Sequence, residues 1–231
     1  MESSDETLAK ICALGNDWHG AGTVSDDVLR ALLARTPRPL LRSAETGTGR
    51  STLVFSNVSA SHVVFTKQDR GDGDSLDRVR SSPMFVSSAV EFVIGPTQLT
   101  VPRYEFRGVL DLVFIDGPHG FPFPALEYYY LYPHIRAGGA LIIDDIQIPS
   151  IRFLFSFLSR DEMWDLDEVV DNTAFFRRTN APLFDPLGDG WWLQGYNKRA
   201  LKGTPIQRLR SRIPGPLKSA WHVIRGPRSA R

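Results

Sequence analysis

The residues best suited to chemistry in this chain lie between Val109 and Pro149. Two apolar runs there each stop at acid: Leu110 to Ile115 ends at Asp116, and Ala140 to Ile143 ends at Asp144 and Asp145. If the runs are neighbouring parallel strands, their carboxyl ends lie about 5 Å apart and the three carboxylates converge. Like charges brought together raise one another's pKa unless a cation offsets them, and no Lys adjoins either motif. A hard divalent ion resolves that repulsion, and the all-oxygen set Asp116, Asp144 and Asp145 suits Mg²⁺ better than Zn²⁺. The same residues also have plainer uses. Asp144-Asp145 can start a helix, Asp116-Gly117-Pro118 can make a turn, and His119 can be a loop histidine bonded locally.

A second candidate is the loop Glu45-Thr46-Gly47-Thr48-Gly49-Arg50. Gly47 and Gly49 let the backbone turn sharply and approach a ligand, and the helix start that follows offers N–H groups to an anion. A Walker A loop would need Gly at 44 and Lys at 50, where Ala44 and Arg50 stand. The dinucleotide fingerprint would need Gly at 52, which is Thr52.

Elements that could hold these loops follow from periodicity. Short apolar runs near Leu40–Glu45, His62–Thr66, Val90–Ile94, Val109–Ile115 and Ala140–Ile143 alternate with helical stretches from about Ser51, from Ser75 to Arg80, and from Pro124 to a stop at Gly138-Gly139. Pro133 predicts a kink or an early end in the last of these. After Pro149 comes a helix, IRFLFSFLSR, then strands at Trp164–Val170 and Ala174–Arg178 around a turn of Asp171-Asn172 with an added Thr173. The predicted class is α/β: a Rossmann-like, mostly parallel sheet with helices on both faces and a C-terminal antiparallel strand pair. Upstream, residues 1–38 read as a helical appendage, with helices around Glu6 to Leu14 and from Asp26 to Arg35. Ser25 is placed to cap the second, and Val28, Leu29, Leu32 and Leu33 share one face of it.

The order Glu45-x-Gly47-x-Gly49, then Leu-Asp-Leu-Val-Phe-Ile-Asp116-Gly-x-His119, then Gly138-Gly139 and Ile-Ile-Asp144-Asp145 resembles a class I S-adenosylmethionine-dependent methyltransferase. It is most similar to metal-dependent small-molecule O-methyltransferases of the catechol and macrolide-sugar type, over roughly Pro39 to Arg178. The resemblance implies that the methionine part of S-adenosylmethionine lies over Glu45, Gly47 and Gly49, with Asp116 beside it. It further implies that Asp116, Asp144 and Asp145 hold Mg²⁺ and that His119, three places after the first Asp, is the general base. The family's ribose-binding acid falls here at about Lys67, with Asp69 two residues on as the substitute.

Composition bounds the remaining possibilities. The chain of 231 residues, 42% hydrophobic, supports one sizeable core, a methyltransferase domain over 39–197, and appendages. Its acidic start and short apolar runs predict a soluble, cytoplasmic protein. Cys12 has no partner at disulfide or metal-ligand spacing. From Lys198 to Arg231 there are ten Lys and Arg and no acid, against a net charge of −9 before it, so an acidic body carries a basic tail over 198–231. That composition is compatible with a solvated end, with peripheral contact to anionic lipid, or with docking of an RNA or protein substrate, and a degenerate adaptor domain is the non-enzymatic alternative. A small-molecule hydroxyl acceptor is the predicted partner, its pocket walled by Phe121, Phe123, Tyr128, Tyr129 and Tyr130 or by Trp191 and Trp192, unless these rings serve core packing.

Overall fold

Every residue of LDLVFI is buried, so this strand must be covered on both faces. Leu112 and Phe114 belong to one hydrophobic cluster, Val113 and Ile115 to another, as the period-2 alternation of a strand requires. The computed structural model describes residues 4–15, 18, 23–68 and 75–201. His19, Asp69 and the tail beyond Leu201 lie outside the described residues.

The strands are β1 (Leu40–Thr46), β2 (Ser59–Thr66), β3 (Val90–Ile94), β4 (Leu110–Ile115), β5 (Ile135–Ile143), β6 (Trp164–Val170) and β7 (Thr173–Arg178). They form one sheet of order β3-β2-β1-β4-β5-β7-β6, parallel except for β7, which runs antiparallel to both β5 and β6. The order reverses between β1 and β4, and a crevice at such a switch point is where open parallel sheets bind ligands. The helices are α1 (Ser4–Cys12), α2 (Asp26–Arg35), α3 (Arg50–Val58), α4 (Ser75–Ser81), α5 (Thr97–Thr100), α6 (Phe123–Leu131), α7 (Pro149–Leu158) and α8 (Gly195–Leu201). Among the described residues, no helix is long and apolar enough to cross a membrane.

Helices cover both faces. Tyr128 and Leu131 of α6 and Leu154 and Leu158 of α7 pack with Val113, Leu141 and Phe176 on one side. On the other, Ile11 of α1 and Val28, Leu29 and Leu32 of α2 join Leu53 and Phe55 of α3 against Leu112, Phe114 and Ile142. The first two helices thus share the core of the sheet. Ser25 caps α2 as predicted, its hydroxyl accepting from the Val28 N–H at 3.2 Å. Arg50, fully buried at the start of α3, ties this layer to the glycine loop through Asp26 at 2.7 Å, the Thr23 hydroxyl at 3.1 Å and the Val24 carbonyl at 2.6 Å.

One predicted boundary is corrected. The helix expected to run from Pro124 to Gly138-Gly139 ends at Leu131, followed by a 3₁₀ turn over Tyr132–His134, and both glycines lie inside β5. Pro133 cannot donate an intrahelical hydrogen bond and its ring crowds the preceding turn, which accounts for the early end. The glycines serve a bulge: Leu110 pairs with Ile135, yet Leu112 pairs with Ala140. Gly138 takes φ +75°, and a Cβ on Gly139 would stand 2.9 Å from the Arg136 carbonyl oxygen and 3.0 Å from that of Asp111. The last hairpin is also tighter than expected, since Thr173 pairs with Val170 and leaves a two-residue Asp171-Asn172 turn.

Because α2 packs into the shared core, Leu32→Ala should lower global stability by about 2–5 kcal/mol, the range for emptying a buried leucine site. A single shifted urea midpoint would show it; a variant that melts α2 alone and leaves the main transition in place would contradict a shared core.

Candidate active site

The glycine loop is shaped by what it must avoid. A Cβ on Gly47, at φ +90°, would stand 2.2 Å from the Asp116 carbonyl oxygen, so only glycine allows the end of β1 to pass the end of β4 this closely. The loop's amides are engaged inside the fold. The Gly47 N–H donates to the Phe65 carbonyl at 2.9 Å and the Gly49 N–H to the Thr52 hydroxyl at 3.1 Å.

Glu45 lies beneath this loop. Its carboxylate is buried, accepting from the Ser51 hydroxyl at 2.9 Å and from the Thr52 hydroxyl, with His62 Nε2 3.2 Å away. His62 in turn meets the Ser43 hydroxyl at 2.7 Å. Glu45 thus braces the start of α3 and the β1–β2 contact; its carboxylate is not presented to the crevice.

Asp116, His119 and Asp145 come together. One ligand atom from each can be chosen so that all three lie within 4.8 Å of one another. His119 Nε2 stands 3.6 Å from Asp116 Oδ1 and 3.3 Å from Asp145 Oδ2. Asp116 is placed by its own N–H, which donates to the Thr46 carbonyl and hydroxyl, both at 3.2 Å. The Asp145 carboxylate is aimed by a left-handed backbone at φ 56° and held by Gln147 Nε2 at 2.6 Å. The Ser150 hydroxyl of α7 donates to the His119 carbonyl and fixes that loop.

Asp144, the third predicted ligand, is turned away. It is buried at the end of β5 and accepts from the Thr173 hydroxyl of β7. Its charge still acts on the group. Burial raises the Asp116 pKa, and the charges of Asp144 and Asp145 raise it further, against the lowering by His119. His119 is raised too, first by its interaction with Asp116 and then by the surrounding carboxylates. Neighbouring carboxylate charge contributes to both shifts, while burial is the larger cause for Asp116.

Sequence reasoning missed Glu127, an acid in the otherwise apolar helix FPALEYYYL, and that isolation was the available signal. It is 2% exposed and reaches under the crevice, where Oε2 accepts from the Thr46 hydroxyl at 2.8 Å. A Cβ on Gly117 would fall 2.5 Å from its Oε1. Among the described residues, several buried polar atoms that lack a hydrogen bond belong to this region: Thr48 in the glycine loop, Thr97 after β3, His119 after β4, and Glu127 Oε1. A crevice floor without side chains at 47 and 117, ringed by unused polar atoms, fits a polar cofactor.

Lys67, at the position of the ribose-binding acid, is exposed just past β2. Of the rings proposed as pocket walls, Tyr128 belongs to the core, stacked on Tyr132 with ring centres 5.0 Å apart and accepting from Trp164 Nε1 at 2.9 Å. Phe121, by contrast, is 71% exposed two residues past His119.

Residues 44–146 match a family model described as a methyltransferase domain. A search of curated proteins returns no match. Among solved structures the chain is similar to the O-methyltransferase TomG from Streptomyces achromogenes, solved with S-adenosylmethionine, at 18% identity and TM-score 0.58, covering 78% of this chain and 92% of that one. It is also similar to an O-methyltransferase from Bacillus cereus in complex with S-adenosylhomocysteine, at 18% identity and TM-score 0.56, covering 78% and 92%. A Podospora anserina methyltransferase bound to S-adenosylhomocysteine aligns at 16% identity and TM-score 0.57, covering 76% and 88%. The sheet shares its fold with these solved methyltransferases, and the glycine loop and the acidic loop both fall within the residues that match the methyltransferase-domain model.

Burial pushes the Glu127 carboxyl up from its ordinary 4.5 to about 7, opposed by the hydroxyls of Thr97 and Thr46. The folded protein then holds a proton that the unfolded chain has released. The stability it contributes is full below 4.5 and is lost as pH rises through about 7. Glu127→Gln should therefore raise unfolding free energy at pH 8 by up to about 3 kcal/mol, a gain that vanishes near pH 4. Urea titrations at the two pH values check this.

Proposed function

We propose that the protein transfers the methyl group of S-adenosylmethionine to a hydroxyl oxygen of a small molecule, with Mg²⁺ at the acidic cluster. The observation that carries this reading is the convergence of Asp116, His119 and Asp145 beside a glycine loop in which position 47 has no room for a side chain. The methyltransferase family match over residues 44–146 supports the first half of the reaction. The reversal of strand order between β1 and β4, where open parallel sheets bind ligands, supports a ligand site beside both loops.

Gly47 and Gly49 would leave space for the methionine part of the cofactor, with the Asp116 loop beside it and Glu45 supporting the loop from below. Asp69, outside the described residues, is the proposed ribose contact. Asp116 and Asp145 would hold the cation, with Asp144 acting on it through charge from its place against Thr173. Two carboxylates plus water are a common Mg²⁺ set, and His119 then stays available as the base. When bound, S-adenosylmethionine supplies an electrophilic methyl on sulfonium, and Mg²⁺ supplies positive charge that stabilises a developing alkoxide.

His119 Nε2 would accept the proton of the acceptor hydroxyl, leaving its oxygen free to take the methyl group that the sulfonium supplies. Asp116 and Asp145, on either side of the ring, favour the imidazolium so formed. The Ser150 bond to the His119 backbone keeps the base in place, and the rest of the barrier is lowered chiefly by orientation.

Isothermal titration should detect S-adenosylmethionine binding to the purified chain, and no heat with or without Mg²⁺ would overturn the reading. His119→Gln should lower kcat by about 10²-fold or more while leaving cofactor affinity within about 2-fold, as expected for loss of a general base. Asp145→Asn should weaken Mg²⁺ activation by about 10-fold or more, since one of few charged ligands is neutralised. Full activity in excess chelator argues against the metal.

A further inference from the structure

Burial of Glu127 works against the stability of the fold. Its helix, FPALEYYYL, is otherwise apolar, and among the described residues no Lys or Arg forms an ion pair with the carboxyl. One oxygen, Oε1, also lacks a hydrogen bond. A methionine of similar length would fill the same space with neither a buried charge nor an unsatisfied oxygen, so packing alone does not account for an acid here. What the carboxyl touches does account for it.

Its neighbours belong to the loops of the proposed site. Oε2 accepts at 2.8 Å from the hydroxyl of Thr46, the residue before Gly47. The carboxyl also takes up the space beside Gly117, the residue after Asp116, where a Cβ would stand 2.5 Å from Oε1 and 2.8 Å from Oε2. Thr97, 4% exposed at the start of α5, acts on the carboxyl through its hydroxyl. The Thr46 hydroxyl has a single proton. Because that proton goes to Glu127, the oxygen is left to receive the Asp116 N–H, which reaches it at 3.2 Å. One hydroxyl thereby links the last residue of β1 to the first residue after β4, and Glu127 sets its direction.

We infer that Glu127 is a positioning residue: acting through the Thr46 hydroxyl and the space beside Gly117, it holds the glycine loop and the acidic loop in fixed register. Its consequence for catalysis rests on the methyl-transfer reading, whereas the lock itself is a property of the ligand-free chain. Negative charge is not required for it, since a glutamine presents the same acceptor to Thr46 and an amide N–H₂ to Thr97. An apolar side chain of equal size leaves the Thr46 proton without its acceptor, and the hydroxyl then turns to find another.

Amide hydrogen exchange on the full chain without ligand tests the lock. In Glu127→Met the Asp116 amide should exchange about 5-fold faster or more, the loss of one modest hydrogen bond, while the Leu112 and Phe114 amides of the same strand keep their rates. Glu127→Gln should keep Asp116 within about 2-fold. Thr46→Val retains a β-branched residue at the strand end and removes the hydroxyl; it should reproduce the change, and Thr46→Val with Glu127→Met should be no faster than either alone. Affinity for S-adenosylmethionine, read by titration, should fall about 10-fold in the Met and Val variants and stay within about 2-fold in the Gln variant. A parent chain that binds no S-adenosylmethionine overturns the methyl-transfer reading and leaves the exchange result to decide the lock. Unchanged Asp116 exchange in either Glu127→Met or Thr46→Val, or effects of the two that multiply, overturns the inference. Faster exchange along all of β4, or a Glu127→Met chain that does not fold, overturns it too, by showing a general packing role.

Discussion

At the centre of the molecule the backbone of Gly47 passes the Asp116 carbonyl so closely that a single methyl group is excluded. That approach depends on β1 and β4 being neighbours in parallel register, with Thr46 opposite Ile115. It places the glycine loop against the first residue of the acidic loop. Thr46 secures the junction, since its hydroxyl accepts from the Asp116 N–H and donates to Glu127. From there the connection continues into α6 and the core aromatics Tyr128 and Tyr132. Cofactor loop, acidic loop and one covering helix are thus joined through one threonine.

The electrostatics have a consistent pattern. Asp144 and Glu127 are buried and receive hydrogen bonds from threonine hydroxyls, Thr173 and Thr46. Glu45 receives Ser51 and Thr52, with His62 as its one charged-when-protonated neighbour. Hydroxyls satisfy lone pairs without supplying a counter-charge. Asp116 holds its proton more tightly than usual through burial and the charges of Asp144 and Asp145, and His119 through its interaction with Asp116 and the same neighbouring carboxylates. A site built in this way has an affinity for positive charge before any ligand arrives.

The segment after β7 is fastened to the same helix and to the turn that follows it. Tyr129 of α6 and Tyr132 of the 3₁₀ turn donate to the Pro186 and Phe184 carbonyls, while Tyr128, one residue before Tyr129, turns into the core. The run Tyr128-Tyr129-Tyr130 is therefore not a substrate box. Its members divide between packing and fastening, as neighbouring residues on a helix must when their directions differ by about 100°.

Residue order alone settled the alternation of strands and helices, the antiparallel end of the sheet, the cap at Ser25 and the proximity of two acid-ended strands, because each is written in local periodicity or turn chemistry. It also singled out Asp116, His119, Asp144 and Asp145, of which Asp116, His119 and Asp145 come together. Packing decided what those signals could not. Whether Asp144 or Asp145 turns to His119 depends on a left-handed backbone at Asp145 and on Thr173 from another strand, and the two acids are chemically identical in sequence. Whether Gly138-Gly139 stops a helix or fills a bulge depends on pairing with β4, a partner far away along the chain. Glu45 and Glu127 became supports for the crevice only once the fold had brought Thr52, His62 and Thr46 to them, since a carboxylate's role follows from the donors that reach it and not from its place in a motif.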